Sequence, residues 1–169
     1  MRYRFKGLDK YVAKLENLSN AFNAEVCMEN AVTKGSEVVA DMTRKELEGL
    51  PTDDRKWVAP PDKRHGVRSY EKKDLLSAWG ITPLQVKGNK IDRKTGVDRG
   101  YNRAGTPNIV LARSLERGTT FMDKNPVFSR ASRKARTPCL EAMQESLNKD
   151  IERIMVNNQK RLQRSKLNG

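Results

Sequence analysis

Residues 108–131, "NIVLARSLERGTTFMDKNPVFSRA", are the stretch on which the fold of this chain turns. The first nine, 108–116, hold a short run of β-branched and aliphatic side chains, which predicts a strand. Gly118-Thr119-Thr120 then predicts a tight turn, since glycine reaches backbone angles closed to other residues. Asn125 and Pro126 predict a helix start, asparagine as a cap and proline in the first turn, where no amide hydrogen is needed. Phe128 is expected to point back and pin that helix as part of the core. Phe121 and Met122 lie in the connection itself. An aromatic placed there needs a surface to cover it, so both are expected at a contact with another subunit or partner.

On the C-terminal side the pattern turns helical over 126–156, with Leu140, Met143, Leu147, Ile151, Ile154 and Met155 as its apolar stripe. Pro138 is expected to kink this helix or to begin a second one. Residues 157–169 are polar and are expected to fray as a tail. On the N-terminal side, Leu84, Val86, Ile91 and Val97 alternate with polar residues around the turn signal Gly88-Asn89. Residues 88–105, rich in Arg, Lys and Gly, therefore read as a basic β-hairpin arm. "DLLSAWGI" before them predicts a turn of helix or a short strand. Residues 51–74 hold three prolines and no periodicity, and read as a long loop. Two helices precede it: 7–18, with Leu8, Tyr11, Val12, Leu15 and Leu18 in phase, and about 21–47. The second has Met28, Ala31, Val32, Gly35, Val38, Val39 and Met42 as its stripe, and Gly35 marks close packing against another element. The expected architecture is a single α+β domain over 1–156, with N-terminal helices and a long C-terminal helix packed on a small, mostly antiparallel sheet.

Composition narrows the function. The formal charge is +13 and charged residues make up 33% of the chain. Residues 1–50 are neutral, with eight Lys/Arg against eight Asp/Glu, so the excess belongs to the later loops, arm and tail. Such a field favours nucleic acid or an acidic protein surface as neighbour. No apolar run is long enough to cross a membrane, and "MRYRFKGLDKYV" lacks the apolar region of a secretory signal. Cys27 and Cys139 fit no metal or redox spacing and read as small buried hydrophobes.

Residues able to carry chemistry are few. A lone histidine, His65, in a charged loop reads as a solvated side chain, and no phosphate-cradling glycine pattern is present. Asp62 with Glu71, Lys72 and Lys73 spells the outline of a metal-dependent nuclease core. The surrounding sequence lacks the apolar strands that would bring those carboxylates together, and ordinary charge mixing in a loop is the better reading. No catalysis, metal or cofactor is expected. Arg55 with Trp57, and Arg99 and Arg103 with Tyr101, interleave basic and aromatic side chains. They can meet phosphates and stack bases, or dock on a protein subunit; Arg64 joins them as an interface candidate.

The order of these segments resembles the neck and tail-completion proteins of long-tailed bacteriophages, the head–tail joining or minor tail family. Members begin with a "GL" and a leucine-rich helix, as does "FKGLDKYVAKLENL" here. They end with "E-x-G-T" and "N-P-F-L-x-x-A". Glu116, Gly118 and Thr119 match the first, and Asn125, Pro126, Phe128 and Ala131 match the second with one residue inserted before the phenylalanine. Leu75, Leu76 and Ser77 fall where the family often shows "T-G-x-L-x-x-S", without its Thr-Gly pair. The resemblance implies a virion structural protein, assembled in the host cytoplasm. It implies a hexameric or dodecameric ring between head connector and tail tube or tail terminator, with DNA passing through the channel.

Overall fold

The computed structural model describes residues 24–55, 58, 61–88 and 90–167. The expected helix at 7–18 and Trp57 lie outside these residues. The element order is α1 (Ala24–Glu48), α2 (Ser69–Ala78), β1 (Trp79–Ile81), β2 (Gln85–Lys87), β3 (Lys90–Asp92), β4 (Thr95–Val97), α3 (Asn108–Arg117) and α4 (Val127–Leu167). The class is α+β.

The backbone of the molecule is the α1–α4 pair, its most extensive contact between elements. The face α1 turns inward carries small side chains: Cys27, Ala31, Gly35, Ser36 and Ala40 are buried, with Thr43 and Leu47 completing the stripe. Opposite them α4 presents Val127, Ala131 and Ala135, all fully buried. Small residues on both sides let the two axes approach closely. The two helices are in tight contact at Gly35, as its sequence position suggested. A Cβ there would lie 2.7 Å from Met143 Cγ and 3.0 Å from Cys139 Sγ. Met28, expected in the apolar stripe, is 44% exposed, because the buried face is rotated toward Cys27 and Ala31.

Between the ends of this pair sits the main core: Leu47, Leu50, Val67, Leu75, Trp79, Leu111, Ala112, Leu115, Met122 and Val127. Trp79 Nε1 donates to the Ala40 carbonyl at 3.0 Å, which gives its buried polar edge a partner. The Phe128 ring lies 5.6 Å from the Trp79 ring, so Phe128 does pin α4 as expected.

The strands form one bent hairpin. Trp79–Ile81 pairs antiparallel with Thr95–Val97, and Gln85–Lys87 with Lys90–Asp92 nearer the tip. Thr82 and Lys94 bridge the two ribbons: Thr82 N donates to Lys94 O at 2.8 Å, and Lys94 N to Thr82 Oγ1 at 3.0 Å. This hairpin occupies 79–97 and contacts α1, so the stretch 88–105 is not one arm. Its first half is the returning side of the hairpin, and its second half is a separate loop.

Three further expectations are corrected. Residues 108–117 are helix α3, not a strand. Asn108, Leu111, Ala112 and Leu115 are buried at helical spacing while Ile109 and Val110 face solvent, and tertiary burial outweighs the β-branched run. The stretch 51–74 is loop only as far as Arg68, and it reaches the core through Val58 and Val67. The chain closes on itself there. Thr52 and Val67 form a parallel bridge, and Gly66 passes so near Pro51 that a Cβ would lie 2.2 Å from its carbonyl oxygen. Finally, α4 runs unbroken through Pro138 and on to Leu167, so residues 157–167 continue the helix rather than fray. Their Gln, Lys, Arg and Leu side chains are good helix formers, and the neighbouring turns support the one amide lost at Pro138.

Candidate interaction surface

Among the described residues, two places present exposed aromatics on tightly built loops. The first joins the 51–68 loop to residues 118–125. At Gly118 the chain leaves α3 with φ +76° and ψ 168°, a region open to glycine alone, and its amide donates to Ser114 O at 2.8 Å. Thr119 Oγ1 then accepts from the amides of Phe121 (3.2 Å) and Met122 (3.0 Å), while Thr119 N donates to Met122 O at 2.8 Å. Arg64 lies alongside: its amide donates to Phe121 O, and its carbonyl accepts from Asp123 N, both at 2.9 Å. The sequence candidates Arg64, Phe121 and Met122 are thus brought to one place, with different fates. Phe121 is 53% exposed and is held outward. Met122 is 2% exposed and belongs to the core, so it is not an interface residue. Adjacent side chains in an extended turn point to opposite sides, and the inner side here is the hydrophobic interior. The Arg64 guanidinium is mostly covered and turned to Glu71 at 3.4 Å, which removes it from the exposed surface.

Beside Phe121 lies a shallow hollow of about 370 Å³ lined by Arg55, Pro61, Asp62, Lys63, His65 and Asp123. Its rim is fixed by carboxylates. Asp53 accepts from Arg55 Nε at 2.8 Å and from His65 N at 3.1 Å, and the Arg55 hydrogen bonds hold its carboxyl well below the usual aspartate range. Asp54 accepts from Ser69 N and Ser69 Oγ, which lower it in the same sense and anchor the start of α2. His65 Nδ1 meets Asp123 Oδ2 at 2.6 Å. Asp53 and Asp54 thus serve as turn and capping residues.

The residues of the nuclease outline are apart in role. Asp62 is exposed on the hollow, while Glu71 is buried in the first turn of α2, where it accepts from Arg68 N at 2.8 Å. Lys72 Nζ donates to the Glu48 and Leu50 carbonyls and closes the C-terminus of α1. Among the described residues no group of three or more His, Cys, Asp or Glu is placed to hold a metal ion. Burial pushes up the thiols of Cys27, where the nearby Asp150 carboxylate adds to the effect, and of Cys139.

The second presented aromatic is Tyr101, 71% exposed. Its loop, 98–107, is a knob organised by Asn102. The Asn102 side-chain oxygen accepts from Ala104 N (3.0 Å) and Thr106 N (2.8 Å), and the Asn102 backbone N–H donates to Thr106 O at 2.9 Å. Asp98 fastens the base, accepting from Gly100 N and Asn108 Nδ2. Asp74 of α2 fastens the side by accepting from Arg103 N at 2.9 Å. Arg99 and Arg103 are exposed on either side of Tyr101, so the three sequence candidates do form one group. Sequence reasoning missed Asn102 and Asp74 as its builders. An asparagine three residues before a glycine was the available signal, because asparagine side chains close turns on their own backbone.

The motif residues converge as well, through an unforeseen agent. Asn125 does not cap α4; its side-chain oxygen accepts from Arg130 Nη2 at 3.0 Å. The cap is Glu116, whose carboxylate crosses from α3 to accept from Phe128 N (3.1 Å), Ser129 N (3.0 Å) and the Ser129 hydroxyl.

Set against known proteins, the chain matches no family model, no curated protein and no solved structure. Among the described residues no helix is long and apolar enough to cross a membrane.

Proposed function

We propose that this chain is a structural assembly protein without catalytic activity, which forms an oligomeric ring at the head–tail junction of a tailed bacteriophage. In that reading it sits between head connector and tail tube, as a neck ring or a tail-terminating ring. The observation that carries it is that two exposed aromatics, Phe121 and Tyr101, stand on loops cross-braced by backbone and carboxylate hydrogen bonds. Water-facing loops need no such bracing, whereas a contact surface gains from it, since rigid groups lose little freedom on binding. The convergence of Glu116, Gly118, Asn125 and Phe128 around one turn supports the resemblance on which the phage assignment rests.

Arg99 and Arg103 flanking Tyr101 also favour a second reading, sequence-tolerant DNA binding, with the ring stacking on bases and the guanidinium groups on phosphates. Two measurements separate the readings. Light scattering across a concentration series, alone and with connector and tail-tube proteins of the same phage, should give discrete ring masses. A chain that stays monomeric in every mixture refutes the ring. Fluorescence anisotropy with single- and double-stranded DNA over a salt series should show weak binding that vanishes near physiological salt; tight binding there supports the alternative.

A further inference from the structure

A candidate receptor for the Tyr101 knob lies on α4 of the same chain. On α4, Glu141, Glu145, Asn148 and Glu152 recur at i, i+4, i+7 and i+11, so they share one face. With Gln144 and Lys149 they line a shallow, open hollow of about 420 Å³. Here the basic second half of the chain turns acidic: residues 137–148 hold two glutamates and no Lys or Arg. The face is not used to pack on α1, which is met instead by Ala131, Ala135, Met143 and Asp150. The knob offers the complement. Arg99 and Arg103 are exposed beside Tyr101, and Ile109 and Val110, exposed on the first turn of α3, adjoin it through the backbone bridge between Tyr101 and Pro107. An aromatic with apolar neighbours and an arginine border is the composition of an anchoring patch, and a glutamate row with amide side chains is a fitting receiver.

We propose that the knob of one copy docks on the acidic α4 face of the next copy. Because the two patches do not overlap, each molecule can give one contact and receive another. Such a head-to-tail interface repeats around a rotation axis and closes a ring. The proposal rests on the reading of the protein as a ring former and names the surfaces that build it.

The test uses charge reversal with mixing. The knob variant carries Arg99→Glu and Arg103→Glu. The receiver variant carries Glu141→Lys and Glu152→Lys, which leaves the Glu145–Lys149 pair at 2.6 Å in place. Sedimentation velocity near 50 mM salt should show wild-type self-association, at least tenfold weaker association of each variant alone, and recovery when the two are mixed, since each then meets an opposite charge. Circular dichroism checks that both remain folded; should either unfold, Tyr101→Ala and Glu141→Gln replace the reversals and must each weaken assembly. Assembly of both variants alone at wild-type strength overturns this interface and leaves the ring reading standing. A wild type that is monomeric in all conditions overturns both.

Discussion

Removing the Glu116 carboxylate tests how α3 and α4 are joined. The first amides of a helix have no partner within it, and at α4 two of them, Phe128 N and Ser129 N, donate to Glu116 at 3.1 and 3.0 Å. The Ser129 hydroxyl donates to the same group. An ordinary side-chain cap is worth about 0.5–2 kcal/mol. A negative charge at the positive end of a helix adds about 0.3–1 kcal/mol. Glu116→Ala should therefore cost about 1.5–2.5 kcal/mol, and for a chain of this size lower the melting temperature by about 4–8 °C. Glu116→Gln keeps an acceptor but no charge, and should lose roughly half as much. Thermal melts give the loss, and hydrogen exchange locates it: the amides of residues 128 and 129 should exchange faster before others in α4 do. A Glu116→Ala protein within about 0.5 kcal/mol of wild type, with those amides still protected, would refute the cap.

Other consequences are as specific. Gly35→Ala brings a methyl to 2.7 Å from Met143 Cγ and should destabilise by about 1–2 kcal/mol despite better helix propensity; in a Met143→Ala background the same change should be neutral or stabilising. Met122→Ala should cost about 2–4 kcal/mol in urea unfolding, while Phe121→Ala leaves stability within about 0.5 kcal/mol, because one is core and the other faces water. Glu46 is held below the usual glutamate range by the Lys134 and then the Arg130 hydrogen bonds, so it stabilises the folded state above its unfolded pKa and that contribution is lost as pH falls through its lowered folded value. The melting-temperature gap between wild type and Glu46→Gln should therefore be widest near neutral pH and close in acid; a gap that does not narrow would show that Glu46 is not titrating in this way.

The long helices were legible as helices but not in their buried face: of the expected stripes Met28, Leu140 and Met155 are nearly half exposed, while small Cys27, Ala31, Ala131 and Ala135 are inside. Gly35 was legible because only a tight contact justifies glycine in mid-helix. Residues 108–116 were not. Ile109-Val110-Leu111 looks the same in a strand and a helix over so few residues, and the deciding fact, that Asn108 and Leu115 are inside, is tertiary. Met122 and Phe121 are neighbours with opposite environments, which composition cannot separate. Likewise, Glu116 is matched to a helix that starts eleven residues later, and only the positive-φ turn at Gly118 folds the chain back far enough to make the match. The exposed group Arg99, Tyr101 and Arg103 was readable as a cluster and the Asn102 turn had a local signal, whereas the bracing by Asp74 was not readable, since it lies 29 residues away.

The knob's chemistry also fixes which of its residues should dominate any contact. Exposed ion pairs contribute at most about 1 kcal/mol and are screened within about 8 Å at physiological salt, so Arg99 and Arg103 mainly guide approach and orientation. Tyr101 is different, for at 71% exposure it has most of a large ring still to bury, and burial of such a ring is worth about 1.5–3 kcal/mol. Its backbone is already fixed by the Asn102 turn, so little ordering offsets that gain. Tyr101→Ala should therefore weaken association about tenfold or more through faster dissociation, while Arg99→Ala should mostly slow association and lose its effect as salt rises. Equal losses from both, each abolished by salt, would mean that charge alone holds the surface, as it would on a DNA backbone.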